Sequence, residues 1–420
     1  MNKGIVLGID FSNDYTQVSV LGDTNEPKAL KFSDMGEEYL MPTAVFYNTD
    51  IREWAIGTEA VNRSKVENGV FIDKLPEKIR KTPGIKIAGE FYKWEEIIAK
   101  YLEGVIKLVI NKVNGVLIRN IIISVDDPDE NVMQIIYSAT TALGYENENV
   151  RIINHAESFA YYILNQNKDI WINSVIMVDF NESSAVIRKM FVTKGREPHT
   201  VDVKKIDVSD QLKYENLDTE EGCTTTDRIL CDMLKKEIDE NVVSAIYLNG
   251  PGFMKEGWYT KTIDAIYSNR RIFAGNNLIV KGAIYAAREL FFYTTLNNYV
   301  ISCKGRTKVN VLMEVIHRGS ETKVKLSKAG VHWYQAGAKT QCILDNVDRA
   351  NFEMYYPATR EIKKFYISLA DFPKRDNKTV RVEVSLAYVE ESKFVVEIKD
   401  IGFGDFFQSS GAVARYEGEV

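Results

Sequence analysis

The feature that most constrains this chain is a pattern that occurs twice, as GIVLGIDFSNDYTQVSVL over 4–21 and as SVIMVDFNESSAVIRKM over 174–190. Each copy is a short apolar run ending in Asp-Phe, then a few small polar residues, then a second apolar run. Such apolar runs are typical of strands buried on both faces, and the polar cluster supplies turn residues. Each copy is therefore predicted to be a β-hairpin, with Asp10 or Asp179 ending its first strand. Two related halves are expected, with a ligand between the two turns.

Strands and helices alternate through the first 300 residues or so. After the first hairpin, strands are predicted over 41–47, 54–57, 120–125 and 150–154, and helices over 94–113, 130–143 and 155–165. After the second hairpin, a helix is predicted over 227–238, a strand over 242–248 and a last helix over 278–295. The strand over 242–248 runs into Asn249-Gly250-Pro251-Gly252, a turn of the kind that approaches ligands. The alternation indicates a mostly parallel α/β sheet.

The pattern changes near residue 303. Four segments, 309–315, 322–326, 380–388 and 394–399, alternate apolar and polar residues with a period of about two. This pattern is typical of antiparallel strands with one face on a core and the other in water. The predicted fold class is therefore α/β plus all-β. Residues 1–302 should form two lobes, the second starting near residue 172, and residues 303–420 an antiparallel β-sandwich.

Composition excludes several classes of function. A net charge of −6 argues against nucleic acid as the main partner. Charges interrupt every apolar stretch well before the roughly 18 residues that a membrane span needs, and the N-terminus has no cleavage site. A cytoplasmic protein with no membrane partner is expected. Four cysteines without a Cys-x-x-Cys pair do not indicate a disulfide scaffold, and four isolated histidines disfavour a zinc hydrolase.

Four motifs in order resemble those of the actin-like ATPase superfamily: Gly8-Ile-Asp10-Phe-Ser12, Val178-Asp-Phe-Asn-Glu-Ser-Ser184, Leu248-Asn-Gly-Pro-Gly252 and Val280-Lys-Gly-Ala-Ile-Tyr-Ala286. The β-domain that follows narrows the resemblance to the DnaK-type seventy-kilodalton heat-shock chaperones, over nearly the whole chain. The resemblance implies a two-lobed actin-like ATPase fold, ATP and Mg²⁺ as possible ligands, and a protein or peptide bound to the β-domain. Residues 154–161 resemble the family's connecting helix.

The resemblance also implies a set of site residues. Asp10 and Asp179 match the carboxylates that hold the metal's water shell, and Lys74 is a candidate for the family's catalytic lysine. No catalytic residue is assigned beyond these candidates. The expected cofactor-binding residues are Asp10, Ser12, Asn13, Asp14, Asp179, Asn181, Glu182, Ser183, Ser184, Asn249, Gly250 and Gly252.

Both expected phosphate turns depart from the family. Phosphate loops are rich in glycine because backbone N–H groups must reach the phosphate oxygens. Here the first turn contains Ser12, Asn13 and Asp14, and the second, 181–184, contains Glu182. Two like unit charges about 4 Å apart repel by roughly 4 kcal/mol at an effective dielectric of 20. ATP binding is therefore expected to be weak.

Three functions remain open from the sequence. The first is a divergent heat-shock-chaperone-like scaffold, a pseudo-ATPase with a degenerate nucleotide cleft. The alternative is an active ATP-dependent chaperone, and a less favoured one is a sugar or acetate kinase of the same superfamily. The β-domain and the missing phosphate glycines disfavour the kinase. No helical lid is expected, because the chain stops at Val420, just past the β-domain.

Overall fold

A computed structural model describes residues 4–22, 26–32, 39–193, 197–255, 257–268, 270–292, 294–375 and 378–420. The chain divides into two compact units. The first unit comprises Met1–Val192 and Asp202–Leu296, and the second comprises Thr193–Val201 and Asn297–Val420.

The first part of the first unit contains strands and helices arranged around a mixed sheet, sheet A. Its strands in chain order are β1 (Ile5–Phe11), β2 (Tyr15–Leu21), β3 (Pro27–Ala29), β4 (Met41–Pro42), β5 (Val45–Asn48), β6 (Glu53–Ile56), β7 (Gly69–Ile72), β8 (Gly84–Ile87), β9 (Glu90–Lys93), β10 (Ile118–Val125) and β11 (Val150–Asn154). Its helices are α1 (Gly57–Arg63), α2 (Leu75–Lys81), α3 (Trp94–Lys112), α4 (Glu130–Ala142) and α5 (His155–Leu164). Sheet A has the order β11-β10-β1-β2-β3, with β4 also paired to β2.

The second part of the first unit repeats this arrangement. Its strands are β12 (Ser174–Phe180), β13 (Ala185–Val192), β14 (His199–Asp207, which begins in the second unit), β15 (Val243–Asn249) and β16 (Arg271–Gly275). Its helices are α6 (Glu220–Glu240), α7 (Thr260–Ile266) and α8 (Leu278–Phe291). Sheet B includes the order β16-β15-β12-β13-β14. Among the described residues, no helix is long and apolar enough to cross a membrane.

The two hairpins occupy equivalent settings in sheets A and B. Strand β1 lies between antiparallel β2 and parallel β10, and β12 lies between antiparallel β13 and parallel β15. Six of the seven residues in each first strand are buried, which explains their unbroken apolar sequences. Asp10 pairs in register with Ser124 of β10, and Asp179 pairs with Asn249 of β15. The repeated sequence pattern therefore corresponds to a repeated strand arrangement.

Helix α6 begins seven residues before the predicted start at Asp227. Its first turns contain Gly222 and the run 224–226 of threonines, which have weak intrinsic helix propensity. The Thr219 hydroxyl caps the helix by accepting a hydrogen bond from the Gly222 N–H at 3.1 Å. A side chain at 222 would lie 2.1 Å from the Asn216 carbonyl oxygen. Capping and close packing thus extend the helix beyond what propensity indicates.

The second unit contains an antiparallel β-domain. The unit contains the short strand β17 (Tyr299–Ser302). The strands of the β-domain are β18 (Asn310–His317), β19 (Ser320–Ser327), β20 (Ala338–Leu344), β21 (Arg349–Tyr355), β22 (Ile362–Ser368), β23 (Val380–Glu390), β24 (Lys393–Asp400) and β25 (Val413–Glu419). Sheet C has the order β19-β18-β21-β22, and sheet D has the order β20-β23-β24-β25. Both contribute to one core, with Phe352 from sheet C and Phe394 from sheet D fully buried. The predicted fold class of α/β followed by antiparallel β is confirmed at this level.

Helices α5 and α8 cross where Gly282 faces Ser158. A Cβ atom at position 282 would lie 2.0 Å from the Ser158 carbonyl oxygen. We expect Gly282→Ala to lower the free energy of unfolding by about 1–3 kcal/mol, because two backbones must move apart. Gly275→Ala is the control, since a Cβ there meets nothing within 4 Å. Urea unfolding compares the two, and equal stabilities would contradict the close contact.

Candidate functional site

A small polar cavity lies at the ends of β1 and β12. Its volume is about 80 Å³, and both Asp10 and Asp179 line it. Each carboxylate is buried at the end of a central strand, beside the carboxyl end of a parallel neighbour. Ligand sites of α/β sheets commonly lie at such strand ends.

The structure brings most of the sequence-predicted site residues together. Those that line the cavity are Asp10, Ser12, Asn13, Asp14, Asp179, Asn181, Ser184, Asn249 and Gly250. Gly252 does not line it, and its carbonyl oxygen accepts a hydrogen bond from the Trp258 indole at 2.8 Å. Lys74 does not line it either. It precedes α2, with a left-handed backbone, and the same helix places Arg80 at the cavity instead.

The centre of the site is a guanidinium that sequence reasoning did not single out. Arg188 lies on β13, and only 1% of its surface is exposed. Its Nη1 donates to Asp179 Oδ2 at 3.2 Å, and its Nη2 donates to Asp126 Oδ1 at 2.7 Å. Burial alone would lower the pKa of Arg188, but the charges of Asp126 and Asp179 outweigh it and raise that pKa. Arg188 therefore remains charged and joins the two carboxylates.

Asp126 directly follows β10, and a second cationic side chain, Lys205, pairs with its carboxylate. Lys205 Nζ donates to Asp126 Oδ2 at 2.8 Å and to Asp127 Oδ2 at 3.0 Å. Burial alone would raise the pKa of Asp126. The charges of Arg188, His155 and Lys205 outweigh burial and hold that pKa well below its usual value.

A buried imidazole accompanies Asp10. His155 begins α5, is 4% exposed, and its Nε2 lies 3.0 Å from Asp10 Oδ1. Burial alone would lower the pKa of His155, but Asp10, followed by Asp126, raises it. Ser12 Oγ donates to the same Asp10 oxygen at 2.7 Å. The Asp10 carboxylate, which the family resemblance assigns to a metal shell, thus contacts an imidazole and a hydroxyl instead.

Asp179 is similarly occupied. Its Oδ1 accepts hydrogen bonds from Asn181 Nδ2 at 3.1 Å and from Asn249 Nδ2 at 2.9 Å, while Oδ2 accepts from Arg188. The hydrogen bond from Asn249 to Asp179 also holds the turn that follows β15. The next residue, Gly250, has a φ of 98°, a conformation that favours glycine. Asp179 therefore fixes the loop after β15 as well as the hairpin after β12.

The two hairpin turns contact each other directly. Asp14 Oδ2 accepts hydrogen bonds from the Ser183 N–H and hydroxyl, each at 2.8 Å. The Tyr15 hydroxyl donates to the Glu182 carboxylate in the opposite direction. Burial and this bond raise the pKa of Tyr15. Asp14 and Glu182, which the sequence places at the phosphates, are engaged in cross-turn hydrogen bonds.

The arrangement does not fit Mg·ATP. Cavities for drug-sized ligands are about 300–1,000 Å³, several times the 80 Å³ found here. Within the described residues, no group of three or more histidine, cysteine or acidic side chains is placed to hold a metal ion. Gln17 Nε2 and Arg188 Nε are buried without a hydrogen-bond partner among those residues. A polar cavity of this size, with such atoms in its lining, suits a few water molecules.

Sequence reasoning missed Arg188, Asp126 and His155, although signals for the first two were present. Arg188 interrupts the apolar run of a strand predicted to be buried on both faces, where an arginine needs buried acidic partners. Asp126 directly follows the buried strand beside β1, so it reaches the same sheet edge as Asp10. His155 had no comparable signal.

A protein-family model described as "Family of unknown function (DUF5716) C-terminal" matches residues 26–304, which are about two thirds of the sequence. The chain belongs to the DUF5716 family. A second model, a domain of unknown function (DUF8552), matches residues 306–420. No curated protein matches the sequence. The DUF5716 match includes Asp126, His155, Asp179 and Arg188.

Arg188 should contribute strongly to the stability of this DUF5716 protein. We expect Arg188→Met to lower the free energy of unfolding by about 3–5 kcal/mol, because it leaves two carboxylates without their shared cation. Asp179→Asn should lower the free energy of unfolding less in the Arg188→Met background than in the wild type, since the two side chains act as one network. Urea unfolding of the four proteins measures this coupling, and additive effects would contradict the network.

His155 predicts a pH dependence with a definite sign. Its raised folded-state pKa gives stability that is complete below 6.5, its ordinary value, and is lost as pH rises through the folded-state pKa. The lowered pKa of Asp126 gives stability that is complete above 3.8 and is lost in stronger acid. We therefore expect the cluster to stabilise the fold most between these two values.

The measurement is urea unfolding at about pH 6 and about pH 8.5. The wild type should lose more stability over this interval than His155→Gln, which cannot be protonated there. His317→Gln is the control, because His317 is exposed and should leave the wild-type loss unchanged. If His155→Gln loses as much as the wild type, the buried imidazolium is ruled out.

Proposed function

We propose that this DUF5716 chain is a divergent heat-shock-chaperone-like protein with an actin-like ATPase fold and a degenerate nucleotide cleft. In this proposal it is a pseudo-ATPase that acts as a binding scaffold, and its C-terminal β-domain binds a protein or peptide. The observation that supports the proposal most directly is the pairing of Asp179 with Arg188 and of Asp10 with His155.

The strand arrangement supports the fold assignment. Sheets A and B each place a hairpin beside a parallel strand, and the first strands of both hairpins end at one cavity. The order of the four sequence motifs resembles the same superfamily. Together these features favour two repeated halves around an ancestral ligand cleft.

The buried Arg188 guanidinium and His155 imidazole disfavour a metal-dependent reaction. In the resembled family, Asp10 and Asp179 correspond to carboxylates around a divalent ion. Here Arg188 lies 3.2 Å from Asp179 and cannot dissociate from the chain. A divalent ion about 4 Å from its guanidinium would be repelled by roughly 8 kcal/mol at an effective dielectric of 20. Neutralisation by the protein's own side chains therefore replaces neutralisation by a metal.

The cross-turn hydrogen bonds disfavour a bound triphosphate. A nucleotide between the turns would have to separate Asp14 from Ser183 and Glu182 from Tyr15. Hydrogen bonds to charged groups contribute about 1.5–3 kcal/mol each. The released carboxylates would then lie beside phosphate oxygens of the same sign, so nothing would offset that cost.

The β-domain supports the scaffold part of the proposal. Strand β22 is an edge strand of sheet C, and its Ile362 and Tyr366 side chains are exposed. Edge strands with unpaired backbone groups accept an added peptide strand. A peptide that pairs with such an edge would bind without any nucleotide.

An active ATP-dependent chaperone is the second candidate. The observation that favours it is that Asp10, Asp179 and the Asn249-Gly250 turn line one cavity, as a nucleotide site of this kind needs. It requires the cleft to open and the Asp14 and Glu182 contacts to break. The two candidates therefore differ in whether Mg·ATP binds to the unmodified protein.

Calorimetry with Mg·ATP separates them. We expect the wild type to show no binding at ligand concentrations up to about 1 mM, which corresponds to a binding free energy weaker than about −4 kcal/mol. The double variant Asp14→Gly with Glu182→Gly should bind measurably, because it removes both the cross-turn bonds and the repulsion. Tyr15→Phe is the control, since it breaks one bond and keeps both acids, and should stay silent. Micromolar binding by the wild type, with phosphate release abolished by Asp10→Asn, would establish the active chaperone.

A further inference from the structure

The loop between β24 and β25 displays three phenylalanines outside the core. This phenylalanine loop, residues 401–411, contains Phe403, Phe406 and Phe407. Phe406 is 95% exposed, more than any other large apolar side chain among the described residues. Contiguous exposed apolar side chains on a folded domain mark interaction sites. Isolated exposed residues need no such explanation, but three rings in five positions do.

The loop is held in a defined shape from below. The Asp400 carboxylate, which is fully buried, accepts hydrogen bonds from the Gly402 N–H at 2.9 Å and from the Ser410 N–H at 2.8 Å. The Ser410 hydroxyl adds a third bond at 2.7 Å. Across the loop, the Phe403 N–H donates to the Phe407 carbonyl at 2.7 Å. A loop fixed in this way loses little conformational entropy when it binds a partner.

The three rings border a cavity with a cation in its lining. The cavity is about 420 Å³, and Thr379, Arg381, Phe403, Gly404, Phe406 and Phe407 line it. Arg381 lies over the Phe403 ring at 5.9 Å, and its Nε donates to the Gly402 carbonyl at 3.1 Å. Its guanidinium is thereby anchored at one nitrogen, and among the described residues that line the cavity Arg381 is the charged one. The volume is within the range of small-ligand sites, about 300–1,000 Å³, and large enough for one or two apolar side chains.

We propose that the phenylalanine loop is a docking site for a peptide segment with a large apolar side chain next to an acidic residue. The apolar side chain would enter between the rings, and the carboxylate would pair with the Arg381 guanidinium. Arg381 lines the cavity and Asp405, next to Phe406, does not, so a single peptide carboxylate can pair with Arg381, whereas a broad anionic lipid surface would also meet the charge of Asp405. A peptide is therefore favoured over a membrane. The inference rests on the proposed function only in that the β-domain is the part that binds partners.

The test uses the full chain and two fluorescein-labelled synthetic peptides. In the first, leucine and phenylalanine are followed by two aspartates, and in the second the aspartates are replaced by lysines. By fluorescence anisotropy, we expect the acidic peptide to bind at least about tenfold more tightly, since like charges at an interface discriminate strongly. Vesicles of phosphatidylcholine with phosphatidylserine serve as the competing lipid probe, and the protein should not sediment with them.

Three variants locate the site. Phe406→Ala should weaken binding of the acidic peptide by about tenfold or more, as aromatic anchors do, without changing the unfolding midpoint, because the side chain is 95% exposed. Arg381→Gln should weaken the acidic peptide and leave the lysine peptide unchanged. Ile316→Ala is the matched control, since Ile316 is 74% exposed on sheet C of the same domain, and should bind like the wild type.

Each contrary outcome is distinct. Peptide binding that is unaffected by Phe406→Ala overturns the docking site while leaving a partner-binding β-domain in place. Failure of both peptides to bind, or sedimentation with anionic vesicles that depends on Phe406, overturns it as well. Mg·ATP binding by the wild type overturns only the proposed pseudo-ATPase, because the loop lies in the second unit and is tested without nucleotide.

Discussion

The first unit depends on the burial of one positive charge. Arg188 is removed from water on β13, and a buried charge without partners costs many kcal/mol. Its partners come from both parts of the unit, Asp179 from the hairpin of sheet B and Asp126 from the end of β10 in sheet A. Because an ion pair of this kind is favourable only in good geometry, the strand ends that hold the carboxylates must be placed accurately. The ion pairs of the cleft and the packing of its two sheets therefore require the same positions of the strand ends.

This requirement changes the role of the cleft. In proteins that close around a ligand, the ligand supplies the contacts that hold two halves together. Here the chain supplies them itself, through Arg188 and through the reciprocal contacts of the Asp14 and Glu182 turns. In the pseudo-ATPase that we propose, a cleft closed by its own side chains has little free energy left to gain from an added ligand. The remaining cavity, about 80 Å³, agrees with that view.

The sequence predicted the parts of the fold that local patterns determine. The first strands of the repeated hairpins are buried along almost their whole length, whereas α3, β23 and β24 have periodic burial, and one sequence reveals both patterns. Strand β20 was not predicted, because its alternate residues are only half-buried and its pattern is weak. Part of the site could be predicted from the sequence, because Asp10 and Asp179 follow from the repeat. His155 could not, because it contacts Asp10 only when distant segments fold together. Pairings of that range depend on tertiary structure, which a single sequence does not specify.

In the phenylalanine loop, the groups that fix the backbone are different from the Phe406 side chain that is most exposed. Its base consists of the buried Asp400, the backbone and hydroxyl groups that bond to it, and the guanidiniums of Arg375 and Arg381, which lie over the Phe407 and Phe403 rings. The Phe406 ring makes none of these contacts. A change at Phe406 therefore alters the displayed surface and leaves the frame intact, whereas a change at Asp400 removes the frame. Recognition loops on rigid scaffolds diversify under this condition, because new specificities arise there without a folding cost. In the docking site that we propose, one fold could therefore acquire different partners.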